Sequence, residues 1–477
     1  MEAKGDKPHA RSPHATCDNP NGNTTRAADS AGPERHNHAT ARPIGSARAA
    51  ARRTAERARN VAPSNLSAYY RSIIPLTWET AASIGRRLRG QERHLQAKAT
   101  YHFDRTADPE EERRLAKLPR GTVLAHEPLK MLGTQGAWNP ARTERFVYVT
   151  RDGRGRPITA TAAYARTDRP RFTPAPVIGF APATQGVSPY NNPTTTATLG
   201  LAVVGWHPLD VVWGYEQPTI NQFLALGCDV VFIDYPRDPA TDVQYYGDNV
   251  AGGRSLLDAI RAAREFGLSS DASVGLWGYS QGGGTAGWCV ENADMSIAAA
   301  VVGAPPSDMA AVSEHIDGGA LTGVLAYSLA SLLVREPEIR ERLLSEISAE
   351  GLAEIRACLE GTPLMAIRRN GHTSTRAWTT SGKTVGEVLQ SIPEAVEVLG
   401  EQRLGTKPAR CPVLLWGGRY DDVIPIGQVR EIARGWGEQV VYEESRVPPI
   451  PGRMAANHTI SNYLNVNRRA EWLVRRL

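Results

Sequence analysis

The 477-residue chain reads as an α/β protein with a mostly parallel central sheet, a helical cap inserted into it and a disordered tail in front. Three observations predict this. From about residue 176 onward, apolar strand-like runs alternate with helical patterns, which calls for crossover connections and parallel strands. One strand ends in Gly278-Tyr279-Ser280-Gln281-Gly282 and runs straight into small residues, the layout of a strand, a sharp turn and a helix. The alternation stops at Ala304-Pro305-Pro306 and resumes at Pro412-Val413-Leu414-Leu415-Trp416, leaving roughly 100 mainly helical residues at a strand's carboxyl end, where an open sheet keeps its ligand site.

The net charge of +5 belongs to one end of the chain. Residues 1–60 hold eleven Lys/Arg and six Asp/Glu, which leaves 44 of each sign in the remainder. This segment has no aromatic residue and only Ile44 as a large aliphatic. It cannot bury enough surface to offset the entropy of ordering, so residues 1–60 are expected to be disordered. With no aromatics to stack bases and no folded basic face, nucleic acid is not an expected partner. Hydrophobic residues at 41% and no apolar run of bilayer-spanning length argue against a transmembrane segment. The first thirty residues show no apolar stretch of a secretory signal, so a cytoplasmic location and export by another route both stay open. The cysteines (17, 228, 289, 358 and 411) show no metal-like spacing. Buried free thiols are expected, with a disulfide to Cys358 as the alternative for an exported protein.

In chain order, residues 66–89 mix apolar and basic residues in a weak helical pattern that suits a packed helix or an interaction segment. The Glu- and Arg-rich residues 108–117 form a solvated helix ended by Pro119-Arg120-Gly121. Residues 143–150 and 158–166 alternate about Arg151-Asp152-Gly153-Arg154-Gly155 and form a hairpin. Then come a strand at 176–181, a helix near 219–226, a strand at 229–235, a helix around 255–266, the Ser280 strand with its helix, and a strand at 297–303. The helical stretch that follows includes 321–333 and 337–359. A strand at 412–416, a helix at 428–436, a strand at 439–444, a loop with His458 and a closing helix from about 463 to 477 complete the chain. The expected division is a tail (1–60), a helical extension (61–117), an α/β core (118–306 and 407–477) and a cap or lid (307–406).

The turn at Ser280 lifts its hydroxyl clear of the backbone, and glycines flank it because side chains there would meet strand and helix. Ser280 is therefore a candidate nucleophile, with the Gln281 N–H directed toward a developing oxyanion. A serine hydroxyl needs a base, and the base needs a carboxylate to hold its tautomer. The chain supplies both in the order Ser, acid, His. Asp421 and Asp422 follow the strand ending in Gly417-Gly418, and His458 follows the last strand. Read alone, His458 is a solvated loop residue and Asp421-Asp422 a helix cap; one aspartate could cap while the other orients His458. The second oxyanion donor is expected from Ala183-Thr184-Gln185-Gly186, with Thr184 or Gln185 giving its N–H.

With these residues in hand, the chain resembles the secretory lipase family, α/β-hydrolases of the fungal lipase A type. The likeness rests on Pro119-Arg120-Gly121-Thr122-Val123-Leu124, the Ala183-Thr184-Gln185-Gly186 loop and Pro218-Thr219-Ile220-Asn221. It continues in the Ser280 turn with its extra glycines, Ala304-Pro305-Pro306-Ser307-Asp308 and Asp421-Asp422-Val423-Ile424-Pro425. The resemblance implies the α/β-hydrolase fold, Asp421 as the acid, His458 as the base, a helical lid and hydrolysis of carboxylic esters such as acylglycerols. It departs at Pro236-Arg237-Asp238-Pro239, where the family usually has a glycine-containing turn. The expected reaction is ester cleavage through an acyl-enzyme on a small-molecule or lipid ester, with no metal or organic cofactor. Acyl transfer to a non-water acceptor by the same triad is the alternative, and a non-catalytic binding module is the remote one. Acyl length, leaving group and oligomeric state are left open.

Overall fold

The computed structural model describes residues 65–91, 103 and 105–477; the expected disordered segment 1–60, with Cys17, lies outside these described residues. The mixed apolar and basic segment is one helix, α1 (Asn65–Leu88). Its Arg71 donates to the Ala225 carbonyl at 2.9 Å and Arg87 to the Leu201 carbonyl at 2.6 Å. The segment is thus a packed helix, although Trp78 on it stays exposed. Helix α2 (Pro109–Ala116) starts where the Asp108 carboxylate accepts from the Glu110 N–H, and its first-turn acidic residues suit the helix dipole.

The alternating segments form the expected hairpin, β2 (Ala141–Arg151) and β3 (Pro157–Thr167), with Arg151 opposite Pro157. Its turn is closed by Asp152, whose carboxylate accepts from the N–H groups of Arg154 and Arg156. An unexpected strand, β1 (Val123–Leu129), pairs antiparallel with β2. After β4 (Val177–Ala181) come α3 (Pro193–Leu199) and a second unexpected feature, the separate hairpin of β5 (Leu201–Trp206) and β6 (Leu209–Trp213). Next are α4 (Gln217–Ala225), β7 (Asp229–Ile233), α5 (Asn249–Ala262), β8 (Val274–Tyr279), α6 (Gln281–Asn292) and β9 (Ala299–Gly303).

The helical region that follows holds α7 (Met309–Ile316), α8 (Leu325–Arg335), α9 (Pro337–Glu346), α10 (Ala349–Glu360), α11 (Pro363–Asn370), α12 (Val385–Ser391) and α13 (Pro393–Gly400). The continuous helix expected over 337–359 is broken at Ile347-Ser348. There the Ser348 hydroxyl accepts from the Gly351 N–H at 3.0 Å and starts α10. The chain ends with β10 (Val413–Gly418), α14 (Ile426–Trp436), β11 (Val440–Ser445), α15 (Ala456–Tyr463) and α16 (Val466–Val474). The expected loop around His458 is therefore helix: His458 is the third residue of α15.

The main sheet runs β1-β2-β3-β7-β4-β8-β9-β10-β11. It is parallel from β7 through β11 and antiparallel on the β1–β3 side, where β3 meets β7. Strands β4, β7, β9 and β10 are buried at every residue, as continuous apolar strands in a covered parallel sheet must be. The carboxyl ends of β4, β8 and β10 lead into the segments that carry Thr184, Ser280 and Asp421.

Candidate active site

Ser280 sits between β8 and α6 with φ 55° and ψ −122°, a backbone conformation that L-residues rarely adopt. The flanking glycines make it possible. A Cβ on Gly278 would lie 2.0 Å from the Gly282 carbonyl oxygen, and one on Gly282 would lie 1.9 Å from that of Ala181. No side chain fits either gap. The Ser280 N–H donates to the Gly303 carbonyl at 2.9 Å, which ties the turn to the end of β9. Ser280 is half-buried. The hydroxyl opens into a cavity roofed by the helical region instead of standing free in solvent.

His458 Nε2 lies 3.0 Å from Ser280 Oγ, and His458 Nδ1 lies 2.8 and 3.0 Å from the two carboxylate oxygens of Asp421. With Nδ1–H donating to Asp421, Nε2 is left to accept from the serine hydroxyl. Asp421 and His458 are both 6% exposed, so water competes little for this contact. The Asp421 carboxylate also accepts from the N–H groups of Val423 and Ile424, which fixes its plane. Asp422 does something else: its Oδ1 accepts the main-chain N–H of His458 at 3.1 Å. It holds the start of α15, a helix with no side-chain cap of its own.

Behind the imidazole lies a stack that sequence reasoning missed. The Tyr279 ring stacks on His458 at 4.7 Å and on Trp416 at 5.2 Å, and the Tyr279 hydroxyl donates to the His458 carbonyl at 2.8 Å. The buried Arg469 guanidinium lies 3.6 Å over the Trp416 ring and donates to the Ser461 and Asn462 carbonyls near the end of α15. Burial lowers Arg469 to about 10. Helix α15 is held at both ends, by Asp421 and Asp422 at the His458 end and by Arg469 at the other. Tyr279, within the Ser280 motif, and Trp416, in a predicted strand, were singled out by the sequence, but not their stacking with His458 and Arg469.

Gln281 begins α6, where an N–H has no intrahelical partner. Thr184 and Gln185 lie with Ser280, Gln281 and His458 on the wall of a cavity of about 410 Å³. The helical region supplies Met309, Val312, Ile316, Leu321, Val324 and Leu325 to that wall, so much of the surface is apolar. Among the described residues, no three His, Cys, Asp or Glu side chains come together as metal ligands. Cys228, Cys289, Cys358 and Cys411 are free and buried, and burial pushes the thiols of Cys228, Cys358 and Cys411 up to about 12. No helix among the described residues is long and apolar enough to cross a membrane.

The model of the secretory lipase family matches residues 208–477, more than half of the chain. The chain belongs to the secretory lipase family. Curated relatives include a probable inactive lipase of Mycobacterium tuberculosis, 28% identical over 41% of this chain and 46% of that protein. Lipase 6 of Candida albicans is 26% identical over 45% of this chain and 48% of its own length. The chain thus spans about half the length of the curated relatives it matches. Solved structures show the fold. Candida antarctica lipase A in its closed state superposes with a TM-score of 0.63 at 16% identity, covering 79% of this chain and 88% of that one. The rice cell wall degrading esterase LipA from Xanthomonas oryzae gives 0.59 at 17%, over 75% and 99%. These neighbours share the α/β-hydrolase fold that the sequence predicts.

Proposed function

We propose that the protein is a serine hydrolase that cleaves carboxylic esters through an acyl-enzyme. The observation that carries this reading is His458 lying within hydrogen-bond reach of both Ser280 and Asp421. Ser280 Oγ attacks the ester carbonyl while its proton passes to His458 Nε2, and Asp421 stabilises the imidazolium that forms. The Gln281 N–H, with that of Thr184 or Gln185, receives the charge on the carbonyl oxygen. His458 then gives its proton to the departing alcohol, leaving an acyl group on Ser280. A water molecule, deprotonated by His458, cleaves the acyl-enzyme and releases the acid. No step calls for a metal or an organic cofactor. The helical region between Pro305 and Pro412 acts as a cap, and its apolar wall suits the hydrocarbon part of a lipid ester.

Because one relative is named a probable inactive lipase, turnover itself has to be measured. A panel of p-nitrophenyl esters and labelling of Ser280 by a fluorophosphonate test the reading directly. Ser280→Ala is expected to lower kcat by about 10⁴-fold or more with the fold intact. A variant keeping even about a tenth of the wild-type kcat would remove Ser280 from the mechanism.

A further inference from the structure

The loop expected to supply the second oxyanion donor is held by side chains from three other segments. The Tyr235 hydroxyl donates to the Pro182 carbonyl at 2.6 Å. The Ala183 N–H donates to Glu216 Oε1 at 3.1 Å, the Tyr215 hydroxyl donates to the Thr184 carbonyl, and the Thr184 and Tyr246 hydroxyls lie 2.7 Å apart. The Ala183 N–H is thereby committed. Among the described residues, no hydrogen bond uses the N–H of Thr184 or of Gln185. In a trans peptide the C=O and the following N–H point opposite ways, so turning the Thr184 carbonyl toward Tyr215 turns the Gln185 N–H away from it.

We propose that Tyr215 and Glu216, which join β6 to α4, are positioning residues that fix the Ala183–Gln185 segment so that the Gln185 N–H is the second oxyanion donor. The inference rests on the serine-hydrolase reading and says which of the two open donors it uses. Among the described residues, the Ala183 N–H is the one hydrogen-bond partner of the Glu216 carboxylate. Glu216 is 3% exposed and sits at the N-cap position of α4 without a side-chain cap bond. Among the described residues it has no cationic partner. Burial of a carboxylate in such a place is costly unless its hydrogen bond matters to the fold or to the reaction. Tyr215 lines the same cavity as Thr184 and Ser280, and Trp213 packs edge-on against its ring at 6.0 Å.

The test compares purified full-length wild type with Tyr215→Phe, Glu216→Ala and Glu216→Gln on one p-nitrophenyl ester, with thermal melts of each. Tyr215→Phe removes one hydroxyl and keeps the ring. It is expected to lower kcat about 10- to 100-fold while KM moves less than about threefold, since a misaimed donor costs part of what a lost donor costs. Affinity for a trifluoromethyl ketone, whose adduct carries an oxyanion, should fall in parallel, whereas affinity for the free carboxylic acid product should hold. Glu216→Ala is expected to behave likewise, and Glu216→Gln, whose amide oxygen can accept the same N–H, to rescue most of the loss. A purely structural role would lower the melting temperature without moving kcat or ketone affinity, and that result overturns the inference. If Glu216→Ala does not fold, Tyr215→Phe decides: wild-type kcat and ketone affinity in that variant overturn the proposal. A wild type that neither turns over esters nor labels at Ser280 overturns the underlying reading as well, so the two failures are distinguishable.

Discussion

Asp421 holds the Nδ1 side of the His458 ring at 2.8 Å, while the adjacent Asp422 holds the main-chain N–H of His458 at 3.1 Å. An amide at position 421 would keep the shape but favour the wrong imidazole tautomer, so Asp421→Asn is expected to cost about 10²- to 10⁴-fold in kcat. Asp422→Asn keeps an oxygen that can accept the same main-chain N–H, and Asp422 Oδ2 has no hydrogen-bond partner to lose; its kcat should stay within about threefold of wild type, by the same reasoning. Steady-state kinetics of the two variants check this, and reversed phenotypes would exchange the roles. Glu216 offers a second test, this time of stability. Burial raises its carboxyl from the ordinary 4.5 to about 7, so between those values the folded chain binds a proton that the unfolded chain has released. Stability therefore falls as pH rises through that window, and the cost is fully present above about pH 7. Glu216→Gln removes the titration. Relative to wild type, it should gain stability from pH 4.5 to pH 8, by at most about 3 kcal/mol at roughly 1.4 kcal/mol per pH unit. Urea titrations at the two pH values measure the difference, and a constant difference would show that Glu216 does not titrate there.

At the scale of elements, the large hairpin was legible because residues of β2 and β3 alternate about an Asp-Gly turn whose side chain closes it. The β5–β6 hairpin was not. Its strands are apolar on the outside as well, with Trp206, Leu209 and Trp213 exposed, so no in-and-out alternation marks them. Helix α15 was hidden for a different reason. Its N-cap position holds Ala455, and the carboxylate that meets the His458 N–H comes from Asp422, 36 residues earlier; a cap supplied across the fold leaves no local signal. In the helical region the sequence places Leu321, Val324, Leu325, Leu329, Leu332 and Leu333 in one helical stretch, but the direction in which each points was not legible. Leu321, Val324 and Leu325 face the cavity, whereas Leu329, Leu332 and Leu333 are packed in the core. Leu321 is only half-buried, so Leu321→Trp should fill cavity space without emptying the core. Displacing roughly two methylenes of a long acyl chain would cost about 1.6 kcal/mol. The ratio of kcat/KM for palmitate over acetate esters is accordingly expected to fall at least about tenfold, and an unchanged ratio in the folded variant would remove Leu321 from the acyl pocket.

At the scale of the whole molecule, the helical region and the sheet share one hydrophobic core, in which Val230, Val301 and Leu414 of the strands belong to the same cluster as Leu332, Ile355 and Val388 of the helical region. A buried ion-pair network adds to that union. The Arg335 guanidinium, at the end of α8, lies 2.8 Å from the carboxylates of Asp248 and Glu336, and Glu336 also pairs with Arg154 from the β2–β3 turn. Asp248 is the residue that caps α5, through the N–H of Ala251, so the charge on α8 is tied to the sheet's own helices. Such a pair is a weak net contributor when intact, because desolvation offsets most of its Coulombic gain. Removing one partner is another matter, since buried carboxylates are left uncompensated. Arg335→Ala is expected to lower the stability of the entire chain by about 3–5 kcal/mol. If the shared core is decisive, the loss will appear as one cooperative transition at lower urea. Hydrogen exchange should then show segments 325–335 and 274–279 becoming less protected together. A cap that is a separable lid would lose protection first and leave the strand protected as in wild type, and that pattern would break the claim of a common core.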